Sequence, residues 1–258
     1  MYVEYLSKIN SHERDQNILF DEEPHIYTVK GNSNYTSVTT WNHSHFPKFD
    51  SNKIIDNMMK SSKWPQNKYY GKTKQQILDI WEENKNNAAT AGTKLHYDIE
   101  CYYNNQPNIN DSIEYKYFEN FIKDYEHLKP YRTEWMVYSE ELLLAGSIDM
   151  VFEKENGNLM IYDWKRCKDI KKFNSFNVCA INPIICDIPD TNYWHYCLQL
   201  NTYKAILEKY YDKIVDDLYL VCLHPENINN NYLRIKVVNL QNQINELFEE
   251  RIKLINNL

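Results

Sequence analysis

The run "TEWMVYSEELLLAGSIDMVFEKENGNLMIYDWKR", residues 133–166, constrains the fold more than any other part of the chain. It holds three β-rich segments, and Glu155-Asn156-Gly157-Asn158 between the second and third has the composition of a tight turn. Such a block forms sheet, and its turn sets the second segment beside the third. Side chains in a strand alternate, so Asp163 and Lys165 share one face while Trp164 points to the other. The same hairpin brings Asp149, near the end of the preceding run, to the strand that carries Asp163. Two carboxylates meeting there repel unless a cation lies between them, and oxygen ligands suit Mg²⁺ or Mn²⁺ better than zinc. The plain alternative is a surface salt bridge between Asp163 and Lys165.

Elsewhere the pattern fills in the layers around that sheet. Residues 25–40 read as a hairpin about Lys-Gly-Asn-Ser, and a helical, lysine-rich stretch follows to about residue 86. The next helix carries "AGTKLHYDIE", in which Gly92, His96 and Glu100 recur every four residues. At about 100° per residue these lie nearly on one line of a helix face, with Leu95, Ile99 and Tyr103 on an adjoining stripe. Helices are expected over 111–127 and 191–210, strands at "DLYLVCL" and "YLRIKVV", and a final amphipathic helix at Leu240, Ile244, Leu247, Phe248 and Ile252. The order implies an α/β fold with a central mixed β-sheet flanked by helices. No linker divides it, so residues 1–258 are expected to form a single domain: an N-terminal hairpin and helical part (1–86), a core (87–223) and a C-terminal strand and helix (224–258).

Composition narrows the function classes. The chain of 258 residues is 43% hydrophobic and 25% charged, with a net charge of −7. It has no run of about 18 apolar residues, and its amino terminus matches neither a signal core nor a transit helix, so a soluble intracellular protein without membrane attachment is expected. The six cysteines form no CxxC pair, which argues against a zinc ribbon and for free thiols. An acidic chain is not the usual profile of a nucleic-acid coat. Its lysines are nevertheless grouped. Lys60, Lys63, Lys68, Lys72 and Lys74 interleave with Trp64, Tyr69 and Tyr70 in a stretch without acids, and Lys165, Arg166, Lys168, Lys171 and Lys172 form a second group. Such clusters can follow a phosphate backbone and stack on unpaired bases, or simply face solvent.

Taken together, Gly92-xxx-His96-xxx-Glu100, Gly146-Ser-Ile-Asp149, Asp163-Trp-Lys165 and Gln199-xxx-Tyr203, in the order helix, strand, strand, helix, resemble the PD-(D/E)XK nuclease superfamily, in its RecB-like branch. The resemblance covers roughly residues 25–223. It implies a restriction-endonuclease-like core, a helical arch within the first 86 residues after the Ser-Val-Thr turn at residue 37, and a C-terminal hairpin and helix as an addition. His96, Asp149 and Asp163 are implied as ligands of Mg²⁺ or Mn²⁺, with the Trp164 backbone carbonyl as a further ligand and Lys165 as the catalytic lysine. Glu100 and Glu134 stand where similar proteins often have a glutamate, although Glu100 could equally pair with a surface lysine. Gln199 and Tyr203 are implied as supporting or DNA-contacting residues, and Arg166, Lys68, Lys72 and Lys74 belong to the basic clusters expected to meet DNA. The cysteines do not match the branch's iron–sulfur pattern, so no cluster is expected. The implied activity is a metal-dependent deoxyribonuclease, in exonuclease form on DNA ends or single strands during replication, repair or recombination. Two alternatives stand beside it: an inactive nucleic-acid-binding or partner-docking module, and an RNA-directed nuclease.

Overall fold

The computed structural model describes residues 4–257 and shows a mixed six-stranded sheet with helices on both faces. Its hub is β5 (Leu144–Glu153), which the long strand β4 (Lys129–Ser139) pairs antiparallel along one edge. Two strands share the other edge. β6 (Leu159–Lys165) pairs antiparallel over Met150–Glu153, and the short β3 (Thr36–Ser37) pairs parallel at Leu144 and Ala145. β7 (Val215–Cys222) then runs parallel to β6, and β8 (Leu233–Lys236) closes the order antiparallel to β7. The β5–β6 turn lies where the sequence puts it. Lys154 N–H donates to the Asn158 carbonyl at 2.8 Å, and Gly157 takes a φ of 82°, the left-handed region that glycine enters without a Cβ clash.

Apolar alternation in the strands feeds two cores. On one face Val151, Ile161 and Leu220 pack with helices α2 (Val38–Ser44), α6 (Asn192–Tyr210) and α7 (Gln241–Asn256) through Trp41, Leu198, Ile206, Leu247 and Phe248. On the other, Phe152, Tyr162 and Trp164 pack with α4 (Lys74–Tyr103) and α5 (Ile113–Asp124) through Leu95, Ile99, Phe118 and Phe121. Every residue of β6 except Lys165 is buried, as a central strand covered on both faces requires. Among the described residues, no helix is long and apolar enough to cross a membrane.

Two sequence expectations are corrected. The N-terminal hairpin is formed by β1 (Ile18–Asp21) and β2 (Ile26–Val29), one turn earlier than the Lys-Gly-Asn-Ser position. The chain does turn at Lys30 and Gly31, but the segment after it finds a better partner: Thr36 N–H donates to the Leu143 carbonyl, and β3 joins the edge of β5 that β6 leaves free. The expected division between residues 86 and 87 falls inside one helix. α4 starts at a capping box between Thr73 and Gln76 and runs unbroken to an Asn104 cap, so the asparagine-rich middle is continuous helix.

Close approach governs one contact beneath the sheet. A Cβ at Gly146 would lie 2.7 Å from Tyr203 Oη and 2.9 Å from the ring, so α6 can seat the buried Tyr203 only because residue 146 has no side chain. Gly146→Ala is expected to destabilise the fold by about 1–3 kcal/mol, the usual cost of overpacking. Adding Tyr203→Leu, which removes the clashing ring, should recover part of that loss. Urea denaturation of both proteins checks this, and equal stability of Gly146→Ala and the native chain would count against the contact.

Candidate metal centre

β5 and β6 remain hydrogen-bonded only as far as the Met150–Tyr162 pair. Asp149 and Asp163, the next residues on each strand, therefore stand at the mouth of a fork. β6 stays paired with β7 through Lys165, so it is β5 that departs. The backbone groups of Trp164 that face the departed strand are taken up by side chains. Its N–H donates to Asp149 Oδ2 at 3.0 Å, and its carbonyl lies 2.8 Å from His96 Nε2. A carbonyl only accepts, so Nε2 carries the proton and Nδ1 turns toward the acids. His96 Nδ1 lies 3.6 Å from Asp149 Oδ2 and 3.8 Å from Glu134 Oε1. Donor atoms of His96, Glu134 and Asp149 all lie within 4.8 Å of one another.

Glu134 reaches this point by an unusual backbone. It sits within β4 opposite Asp149 with a φ of 41°, a conformation that costs a residue other than glycine on the order of 1–3 kcal/mol. Ser147 Oγ donates to Glu134 Oε2 at 2.8 Å and holds the strained carboxylate in place. The sequence reading passed over Ser147, although its position two residues before Asp149 puts both on one strand face. A cavity of about 620 Å³ opens at this spot, lined by Glu100, Glu134, Ser147 and His96, with Tyr27 and Phe20 of the N-terminal hairpin as its wall. A larger one, about 720 Å³, lies by the β5–β6 turn around Tyr125, Lys129 and Arg234; Glu153 in its wall is paired with Lys129, and its acids form no group with a metal-like spacing, so volume alone does not mark the site.

Lys165 lies on the face of Asp163. Its Nζ donates to Asp163 Oδ1 at 2.9 Å and stands 4.8 Å from the centre of the Tyr196 ring, a second contact the sequence reading missed. This is a buried pair, not the surface salt bridge of the plain alternative: the side chains are 18% and 3% exposed. Oδ2 of Asp163 is also 2.8 Å from Nζ, but at an angle that makes no hydrogen bond, so a buried carboxylate oxygen is left without a donor.

The electrostatics follow from packing these groups together. Burial and the charge of Asp163 push the Asp149 carboxyl up to about 7. Burial pulls His96 down, but Asp149 and Glu134 outweigh it and raise the imidazole to about 9. Burial likewise opposes the Lys165 ammonium, and Asp163 and Asp149 hold it above the ordinary lysine value all the same. The centre thus carries an excess of carboxylate that holds protons on its own bases. The His96 nitrogen and the Glu134 and Asp149 oxygens in one place fit a small divalent cation, whereas Asp163, expected as a ligand, does not join that group and turns to Lys165, with its Oδ2 left without a donor.

The other expected residues are distributed as follows. Glu100 is buried one turn beyond His96 and lines the same cavity, so it is not a surface residue. A Cβ at Gly92, on the line of His96 and Glu100, would meet open space, and the close approach of helix and sheet is made at Gly146 instead. Tyr203 is 3% exposed and hydrogen-bonds Gln199, so it supports the site from below and offers no face to a nucleic acid. Arg166 is held by Glu114 at 2.7 Å. Lys68, Lys72 and Lys74 lie far along the chain from the acids; Lys74 pairs with Asp56 at 2.8 Å, whereas Lys68 and Lys72 are exposed.

Among known proteins, the sequence matches no protein-family model and no curated protein. Among solved structures it is similar to one titled "Crystal structure of SSO0001", with a TM-score of 0.36 and 13% identity over 86% of this chain and 77% of that chain. A likeness of that size carries no argument about fold or site.

A cation entering this centre must displace the protons that its bases hold. His96 binds a proton below about 9 and Asp149 below about 7, so Mn²⁺ affinity should rise with pH from 6 to 8. The release should approach two protons per ion at the acid end and one at the alkaline end. Calorimetric titration in buffers of different ionisation enthalpy measures both; an affinity flat across that range would show that these groups are not the ligands.

Proposed function

We propose that this chain is a divalent-metal-dependent nuclease of the PD-(D/E)XK superfamily, RecB-like branch, which hydrolyses phosphodiester bonds of DNA at ends or in single strands. The observation that carries the proposal is the fork itself. It puts Asp149 and Asp163 on the two strands at its mouth, turns His96 of α4 onto Asp149 and Glu134, and leaves Lys165 on the face of Asp163. A restriction-endonuclease-like core is the architecture this reading assigns to the mixed sheet.

His96, Asp149 and Glu134 would hold Mg²⁺ or Mn²⁺, with Asp163 and the Trp164 carbonyl adjoining. The ion would stabilise charge on the phosphoryl oxygens and make water a better nucleophile near neutral pH. Lys165 is an ammonium, raised by its two carboxylate neighbours, so it acts as a hydrogen-bond donor that orients the attacking water or a phosphate oxygen. Tyr196 beneath it and Asp163 beside it fix where Nζ points. Ser147 does the same for Glu134, and Tyr203 supports the strand at Gly146.

The test separates metal binding from chemistry. Lys165→Met keeps most of the aliphatic stem and removes the ammonium, so Mn²⁺ should still bind while cleavage slows roughly 10²- to 10⁴-fold, the range for a positioned proton donor or acceptor. Asp163→Asn should lower both. Time courses on linear, circular and end-labelled single-stranded DNA, with matched RNA and with EDTA, read the outcome. Cleavage by Lys165→Met at the native rate, or in excess EDTA, would refute the mechanism. Binding without any cleavage would favour the inactive module, and preference for the RNA strand would favour the RNA-directed enzyme.

The lysine segment gives a separate handle on the substrate. Tyr69 is tied to Trp81 Nε1 at 2.9 Å, and Tyr70 is exposed beside Lys68 and Lys72. Replacing Lys68 and Lys72 with Ala should flatten the slope of log affinity against log salt by about 0.7 per lost contact on single strands. Fluorescence anisotropy with labelled oligonucleotide measures it, and an unchanged slope in a folded variant would make the segment a solvated surface.

A further inference from the structure

Two thiols lie beside the lysine and have no part in the proposed chemistry. Strand alternation puts Asp163 and Lys165 on one side of β6, the register of the parallel β6–β7 pair sets Cys222 next to Lys165 on that same side, and Cys167, two residues past the end of the strand, brings its sulfur to Cys222. The two sulfurs are 4.0 Å apart. Cys222 is 1% exposed, while Cys167 is only half-buried, so one member of the pair can be reached from solvent. Tyr196, whose ring lies against Lys165, also hydrogen-bonds the Cys167 side chain, so lysine, tyrosine and both thiols form one contact group. The chain leaves the ladder after Lys165, and Cys167 therefore sits on backbone that can move without breaking a strand pair.

We propose that Cys167 and Cys222 are a redox pair that a peroxide closes to a disulfide, and that closure disables the centre by displacing Lys165. The consequence for cleavage rests on the nuclease reading; the chemistry of the pair does not. Cys167 is the attacking sulfur. The hydrogen bond with Cys222 and the charge of Lys165 keep its thiol below the ordinary value against burial, and a thiolate is the reactive form. It takes the terminal oxygen of hydrogen peroxide, releases hydroxide, and becomes a sulfenic acid. The Cys222 sulfur then attacks that sulfur, the S–O bond breaks, and the oxygen leaves as water with the thiol proton. Two thiols and one peroxide give one disulfide and two waters; an external dithiol reverses the step by exchange.

Closure needs the sulfurs to approach from 4.0 Å to the S–S bond length of about 2.05 Å. Cys222 is anchored in the middle of the sheet, so the movement falls on Cys167 and the two residues that join it to Lys165. A misplacement of about 1 Å at a reacting group costs a rate factor of about 10².

The experiment treats the whole protein with hydrogen peroxide, maps its peptides without reduction, and follows DNA cleavage in Mn²⁺ before and after a dithiol is added. The expected result is a peptide joining Cys167 to Cys222, lighter by two hydrogens, with cleavage slowed about 10²-fold and restored by the dithiol. Cys167→Ser and Cys222→Ala should each cleave normally and keep their rate in peroxide. The absence of that cross-link would overturn the proposal, as would a cross-linked protein that cuts at the reduced rate, or a Cys167→Ser protein that peroxide still inactivates. A reduced native protein that cuts nothing would instead count against the nuclease reading, and the peptide map would still decide whether the pair closes.

Discussion

The parting of β5 from β6 after the Met150–Tyr162 pair is the constraint on which the site depends. Had the ladder continued, Asp149 and Asp163 would be cross-strand neighbours about 5 Å apart, and like charges directly opposite are destabilising. Instead the strands separate and the backbone of Trp164 loses its partner on that side. A buried N–H and C=O must be satisfied somehow. Here a carboxylate accepts from the one and an imidazole donates to the other, so Asp149 and His96 complete the strand's hydrogen bonding as well as facing the cavity. The edge of β5 that is vacated is taken up again at Leu144 and Ala145 by β3, which keeps the opening short. Structure and site are thus the same set of contacts.

That arrangement gathers charge where folding alone would avoid it. Three carboxylates, an imidazole and an ammonium sit within a partly buried region, and Glu134 adds a backbone conformation that only glycine adopts freely. Desolvating a charge is costly unless a partner compensates. The partners present do so by holding protons: His96 and Lys165 stay charged because the acids surround them, and Asp149 gives way because it is buried and Asp163 is near. Strain and shifted protonation meet in the one cleft on which the proposed function rests.

The parts of this centre differ in how far the sequence discloses them. The β5–β6 hairpin was legible because the Gly157 turn and the alternation on each side specify it locally, and with it came the neighbourhood of Asp149 and Asp163. The final helix at 241–256 was legible by its amphipathic period. What failed was tertiary in origin. Nothing local says that Gly146, not Gly92, is where backbone and side chain meet closely, because the atom concerned belongs to Tyr203, far along the chain. Nor does composition reveal that the asparagine-rich run inside α4 stays helical, since its ends are fixed at Thr73 and Asn104. The N-terminal hairpin was misplaced by one turn because Tyr35-Thr36-Ser37 has strand composition either way, and only the free edge of β5 decides which strand it joins. The left-handed backbone at Glu134 leaves no trace in residue type.

The length of α4 has a consequence for how binding and chemistry relate. From Lys74 to His96 is 22 residues of continuous helix, about 33 Å at 1.5 Å per residue. One end is fixed in the core by Leu95 and Ile99, while residues 82–90, between it and the lysine-rich end, face solvent. The exposed lysines are therefore well beyond a Debye length, about 8 Å at physiological salt, from the carboxylates around His96. Their charge cannot set protonation at the centre, and the acids there do not offset the lysines. On the proposed nuclease reading, a net-negative chain would in this way present positive charge to a strand and negative charge to a cation without either cancelling the other, because continuous helix keeps the two apart.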